Sequence, residues 1–289
     1  MKKILIIFLI AFSAAPAFAK KKAAHMPPSF CLRAGLGYAT AVAGGDAMVY
    51  DAHLQPISGT QLYDGTYDTY NLKKASFSSG FGTVIAPGLM INEHIGVEVA
   101  AGFGLAMKKY TLHYTSTATG SSFTDNFSSY ANMPVILMPA LIVSTGCNNN
   151  LSAYARVGLA LPVSGKIVTN ETYTDNIGTI TTTFEVKSHF SLGLCGAAGA
   201  RYNLNRHMGL WVELNGLAMS LNSKSGTYTS YIQDGQQVLG AINTSDTHFL
   251  YTKNYSERNN NDPNQATKAT AFSAPFNNLG ISVGILFNL

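Results

Sequence analysis

Seven stretches of the chain alternate apolar residues with small or polar ones, and an eighth is apolar on both faces. A period of two sends successive side chains to opposite faces of a strand, so each stretch is expected to be a β-strand. In the first, Phe30, Leu32, Ala34, Leu36 and Tyr38 share one face and Cys31, Arg33, Gly35 and Gly37 the other. The second turns Phe77, Phe81, Ile85 and Leu89 outward and Gly80, Gly82, Ala86 and Gly88 inward. The third sets Ile95, Val97, Val99, Ala101, Phe103 and Leu105 against Gly96, Glu98, Ala100, Gly102 and Gly104. Tyr130 to Val143 is the doubly apolar stretch, and Pro134 and Pro139 each remove a ladder donor from it, so a bulge or irregular ladder is expected there. The fifth sets Leu151, Ala153, Ala155, Val157, Leu159 and Leu161 against Ser152, Tyr154, Arg156, Gly158 and Ala160. The last three put Phe190, Leu192 and Leu194, then Met208, Leu210, Val212 and Leu214, then Leu279, Ile281, Val283, Ile285, Phe287 and Leu289 on their outer faces.

The connections alternate as regularly as the strands do. Asn92 to His94, Ser144 to Asn150 and Asn203 to His207 are short, whereas residues 43–74, 108–129, 164–187 and 221–271 are long. Tight turns on one rim and long loops on the other are the layout of an eight-stranded, up-and-down, antiparallel transmembrane β-barrel, all-β, with long extracellular loops. With flanking residues each stretch supplies the roughly 9–11 residues that a tilted spanning strand needs. A ten-stranded barrel would require a spanning hairpin within residues 226–255, where no segment alternates strongly.

The first residues fit export to an envelope. Met1-Lys2-Lys3 is a basic start, Ile4 to Phe12 an apolar segment too short to span a bilayer, and Ala17-Phe18-Ala19 a small-x-small cleavage site. Residues 1–19 are therefore expected to be a signal peptide cut after Ala19, residues 20–28 a periplasmic segment, and residues 29–289 the barrel domain in the outer membrane. Charged residues make up 12% of the chain, low for a soluble protein, where about a quarter is usual. The 27 glycines, 15 tyrosines and 15 phenylalanines suit a close-packed lumen and aromatic girdles. Losing Lys2 and Lys3 would lower the formal charge from +4 to +2, which gives no electrostatic case for nucleic acid. Three cysteines, Cys31, Cys147 and Cys195, make no disulfide framework and have no metal-ligand spacing. His94 and His207 occupy equivalent places after short turns, in Asn-Glu-His and Asn-Arg-His, and are expected to be interfacial turn residues rather than metal ligands. No cofactor is expected.

The inward faces collect Arg33, Glu98, Arg156, Arg201 and Glu213, with Tyr154 and Trp211, all near the short-turn rim. Charge inside a membrane structure is costly unless paired or hydrated, so the carboxylates are expected to meet the arginines across the lumen, as a structural plug or as a gate. His189 and Ser191 on one face, with Glu213 on the next strand, are similar to the catalytic set of outer-membrane lipid A deacylases. No feature supplies an oxyanion donor, and the chain is expected not to be an enzyme. The outer loops carry Tyr63, Tyr67, Tyr70, Tyr110, Tyr114, Tyr228, Tyr231, Tyr251 and Tyr255, which suit contact with an extracellular ligand or an extension of the strands above the bilayer, and residues 256–265 read as a flexible tip.

Together with the signal peptide, NMPVILMPALIV and the terminal NLGISVGILFNL carry a resemblance to bacterial outer-membrane β-barrels with an eight-stranded, OmpA-type domain. The Met133-Pro134-Val135 step resembles the start of the fourth strand in porin-family barrels, and the last strand resembles the signal read by the barrel-assembly machinery, although the family usually ends on an aromatic and here Phe287 is followed by Asn288 and Leu289. Over residues 30–289 the resemblance implies a monomer in outer-membrane lipid, with no peptidoglycan-binding domain after the barrel. It implies a structural or surface-interaction role; the alternatives are a narrow porin for small solutes and, through His189 and Ser191, a lipid-modifying enzyme.

Overall fold

A computed structural model describes residues 28–42, 46–47, 62–63, 66–67, 73–74, 76–118, 121–146, 150–253 and 262–289. The proposed signal peptide with its Ala19 site, the segment before Pro28, Cys147, Tyr70 and Tyr255 lie outside these residues. Eight strands form a closed ring: β1 (Ser29–Ala41), β2 (Gly80–Met90), β3 (Ile95–Met107), β4 (Ser121–Ser144), β5 (Leu151–Thr174), β6 (Gly193–Asn203), β7 (Met208–Ala218) and β8 (Asn278–Asn288). Each pairs antiparallel with its sequence neighbours. The pairing of β8 with β1, Val283 opposite Leu36, closes the ring and leaves no edge in the bilayer. Among the described residues the chain between β7 and β8 adds no spanning hairpin, and the ring closes with eight strands rather than ten.

Alternation assigns the faces. Val97 and Val99 are 44% and 50% exposed, while Glu98 between them is 3% exposed. Phe81, Ile85, Val157, Leu194, Leu210, Val212, Leu279 and Ile281 are likewise exposed, which lipid would cover. Tyr38 and Phe81, opposite each other on β1 and β2, pack in a tilted arrangement at 4.8 Å between ring centroids at the outer end of this belt.

Two short turns share one construction. The Asn92 side-chain carbonyl accepts the backbone N–H groups of His94 and Ile95, each at 2.8 Å, and Asn205 does the same for His207 and Met208. The repeat seen in the sequence is thus a pair of asparagine-capped turns. His94 Nδ1 lies 3.0 Å from the Ser144 carbonyl and Nε2 3.3 Å from Glu93, and no metal cluster forms among the described residues.

The irregularity expected on β4 is present at Pro134 and absent at Pro139, which sits in unbroken register opposite Val99. Around Pro134 the β4–β5 ladder slips twice, between Pro162 and Lys166. Met133 takes a left-handed φ of 44°, and Gly165 at φ 124° allows Pro134 to approach where a Cβ would come within 2.9 Å of its Cα. The bulge reverses the parity of β4: Ile136, Ala140 and Ile142 are buried on one side of it, Phe127, Ser129 and Ala131 on the other.

Three of the long connections, over residues 108–129, 164–187 and 221–271, are more folded than loops where they are described. Residues Tyr110–Ala118 pair with the outer part of β4, and Thr179–Ser188 with the outer part of β5. Ser220–Gln233 continues around the ring, followed by His248–Thr252, Thr267–Thr270 and Ser273–Pro275. These strands enclose an apolar core in which Phe184 packs against Tyr228 at 4.8 Å and Phe249 at 5.7 Å, and Tyr251 against Phe272 at 5.1 Å. Tyr228 and Tyr251 are therefore buried and do not offer the surface contact expected of loop tyrosines. Phe77, expected to face lipid, is also in this core, because regular β2 begins only at Gly80 and the alternation does not extend back through the turn.

Candidate functional site

Four of the five inward charges meet, one from each odd-numbered strand. Around the lumen they run Arg33 on β1, Glu98 on β3, Arg156 on β5 and Glu213 on β7, alternating in sign. Arg33 donates from Nε and Nη2 to Glu98 at 3.2 and 3.0 Å and from Nη1 to Glu213 at 2.9 Å. Arg156 donates from Nη1 to Glu98 at 2.7 Å, from Nε to Glu213 Oε2 at 3.1 Å and from Nη2 to Glu213 Oε1. Tyr154 adds a hydroxyl donor to Glu213 at 2.9 Å, and the Arg33 guanidinium lies 4.6 Å from the Trp211 ring centroid. Both carboxylates accept several charge-assisted hydrogen bonds, the arrangement that lets buried ions remain ionised.

Even-numbered strands make the room. At this level they present Ala86, Gly88, Ala140, Ala197, Gly199 and Gly284. A Cβ on Gly199 would stand 2.7 Å from Glu213 Cβ, and one on Gly284 would stand 2.7 Å from the Trp211 ring. Large charged side chains on β1, β3, β5 and β7 cross the lumen where most of their inward neighbours on the even strands are small; the buried Leu286 opposite Arg33 and Ile142 opposite Arg156 are the larger exceptions.

Arg201 does not join this square. It lies opposite Trp211, one inward position nearer the rim than Gly199, which faces Glu213. Its guanidinium donates to Ser152 Oγ at 2.7 Å and Ser144 Oγ at 3.2 Å. Of the five residues expected in the cluster, the structure brings four together as a square and places Arg201 one inward position nearer the rim.

The pattern resembling a deacylase does not assemble. Both Glu213 oxygens are engaged by the guanidinium groups and Tyr154. Ser191 is buried and hydrogen-bonds to the His189 carbonyl, whereas His189 is exposed, so the two do not share a face as the alternation suggested. Both lie before regular β6 begins at Gly193. Cys31 and Cys195 are buried and unbridged.

Outward of the charge square lies a chamber of about 150 Å³, lined by Gly82, Gly102, Met138, Asn215 and Ser282, with Arg156 and Glu213 at its floor. Met107, Pro134, Ile136 and Phe276 approach it from the outer side. Phe276 and Ile136 belong to the apolar core that runs from Cys195 and Ala160 in the barrel to Phe249 above it, a continuity that sequence reading missed because the chain between β7 and β8 shows little alternation.

A family model described as "Outer membrane protein beta-barrel domain" matches residues 4–241. Among solved structures, the outer membrane protein OprG from Pseudomonas aeruginosa is similar, at 14% identity and a TM-score of 0.39, over 92% of this chain and 97% of that one. Ail, the attachment invasion locus protein of Yersinia pestis, in complex with the heparin analogue sucrose octasulfate, is similar at 9% identity and a TM-score of 0.33, over 91% and 100%. No curated protein matches the chain.

Proposed function

We propose that this chain, which belongs to the outer membrane protein beta-barrel domain family, is a non-enzymatic, closed scaffold that holds a folded β-platform above the outer membrane for surface interaction. The observation that carries the reading is the double seal of the lumen. A balanced square of two arginines and two glutamates closes its inner half, and an apolar core of aromatic side chains covers its outer end. Side chains fill a barrel of this size, which supports a lumen closed to ions. What remains for function is the platform, which is built from strands longer than a bilayer requires: β5 runs for 24 residues, against the roughly 9–11 that span. Export by the N-terminal signal peptide, insertion by the barrel-assembly machinery and action as a monomer belong to the same reading.

The glycine-lined chamber favours one second reading, a narrow porin for small solutes, because water there would loosen the square. Planar-bilayer recording of the refolded full chain decides between the two. The scaffold reading expects small or absent conductance. A steady conductance whose ion selectivity changes in Glu98→Gln would replace it with the porin.

A further inference from the structure

We infer that a band of lysines directly above the lipid-facing belt is a binding surface for the phosphate-bearing head groups of outer-leaflet glycolipids. The band follows the points at which part of the wall, along β3, β5 and the segment before β6, leaves its last exposed apolar residue. Beyond Leu105 on β3 come Lys108 and Lys109, and beyond Val163 on β5 comes Lys166. Lys187 lies just outward of Phe190, and Lys224 lies on the strand that pairs with it, Ser225 opposite Lys187. Lys108, Lys109, Lys187 and Lys224 are exposed, and Lys187 and Lys224 follow the buried Val186 and Ser223 on their strands, so the side chains of those two point away from the core.

Tyrosines fix part of the band. Lys108 Nζ lies 5.4 Å from the Tyr110 ring centroid, and Lys109 Nζ lies 4.9 Å from that of Tyr130. Tyr110 is itself held at the edge of the outer core by Phe77 and the Ser76 backbone, whereas Tyr130 lies between buried Ser129 and Ala131 and so on the opposite face of its strand. Lys109 and Tyr130 thus form the pairing of ammonium and ring that anchors a barrel at a head-group layer. Acid is scarce at this level. Lys166 pairs with Glu185 at 2.5 Å, and among the described residues no carboxylate pairs with Lys108, Lys109, Lys187 or Lys224. Asp125, Glu171, Asp175 and Asp234 stand further out along their strands. Among the described residues, a chain with a formal charge of only +4 has thus gathered five ammonium groups against one carboxylate where the bilayer meets water. Anionic head groups at that depth complement them, and each lysine near a charged membrane surface adds to the attraction. The assignment rests on the proposed orientation, with the long connections outward.

The test is native mass spectrometry of the refolded full chain in detergent, titrated with bisphosphorylated lipid A and with the same lipid stripped of phosphate. The wild type should retain the phosphorylated lipid at least about tenfold more tightly, and the Lys108→Gln, Lys109→Gln, Lys166→Gln, Lys187→Gln quadruple variant should lose that preference. Arg206→Gln, which removes one charge from the opposite rim, should keep it. Equal retention of both lipids by the wild type, or an unchanged preference in the quadruple variant, overturns the inference. So does a lysine-dependent affinity for soluble dextran sulfate without any preference for phosphorylated lipid, which would make the band a receptor for a soluble polyanion. Loss of the orientation is read separately: an epitope inserted at Ile177 and hidden on intact cells would defeat the outward platform itself.

Discussion

Arg33 and Glu98, 65 residues apart in the chain, meet through a two-point contact in which guanidinium Nε and Nη2 face the two carboxylate oxygens at 3.2 and 3.0 Å. The contact is one side of a square, so removing Glu98 leaves Arg33 and Arg156 competing for Glu213 alone. An uncompensated buried charge typically costs about 3–5 kcal/mol where water is excluded. Glu98→Ala is therefore expected to lower the urea midpoint of the refolded barrel strongly. A near-neutral effect would mean that water screens the square, as the porin reading requires.

The outer wall gives a second expectation. Val99 and Val157 are half exposed on the lipid face, and arginine near mid-bilayer costs about 2–4 kcal/mol in such barrels. Val99→Arg and Val157→Arg should each reduce folding into vesicles. Gly102→Ser should cost much less, since its Cβ would meet chiefly the flexible end of Met138 at 3.1 Å. Vesicle-refolding yields measured side by side check the facing of the whole barrel.

Much of this wall was legible because period two is enforced twice, by lipid outside and by a crowded lumen inside. The alternating signs of Arg33, Glu98, Arg156 and Glu213 on successive odd strands were also present in the sequence, and they identify the square better than a list of inward charges does. Arg201 has the same inward parity and the same chemistry, and only the stagger between β6 and β7 places it below the square. The reversal of parity at Met133 and Pro134 was illegible in detail, since a doubly apolar stretch reads alike in either register. The outer core was hidden for a different reason. Phe77, Phe184, Phe249 and Phe276 come from separate connections, and no local period links them.

Trp211 offers a native reporter of the lumen, being the one tryptophan of the chain. Its Nε1 donates to the Ile285 carbonyl at 3.1 Å, and a Cβ on Gly35 would fall 2.3 Å from its ring and 2.5 Å from the Val283 carbonyl. Gly35→Ala is expected to displace the indole and cost about 1–3 kcal/mol through overpacking. A shift in Trp211 emission together with a lower urea midpoint is the expected result. Unchanged emission would place the ring elsewhere.

Above the membrane, Asp125 provides a pH-dependent element. It lies on the outer part of β4 opposite Tyr173, and its Oδ1 is buried with no hydrogen-bond partner among the described residues. Burial raises its pKa to about 6, against an opposing backbone hydrogen bond from Asn126. An acid whose folded pKa is raised binds its proton more tightly in the folded state, so the unfolded state binds fewer protons between about pH 4 and pH 6, and stability falls as pH rises through that window. Half-exposure and solvent screening limit the size of the effect and leave its sign. Limited proteolysis of the platform in the folded barrel should therefore proceed faster at pH 7 than at pH 5 after correction for protease activity. Asp125→Asn should remove this component of the difference, because the amide carries no charge to desolvate. A wild-type platform more resistant at pH 7, or a variant with the same dependence as the wild type, would show that Asp125 does not set it.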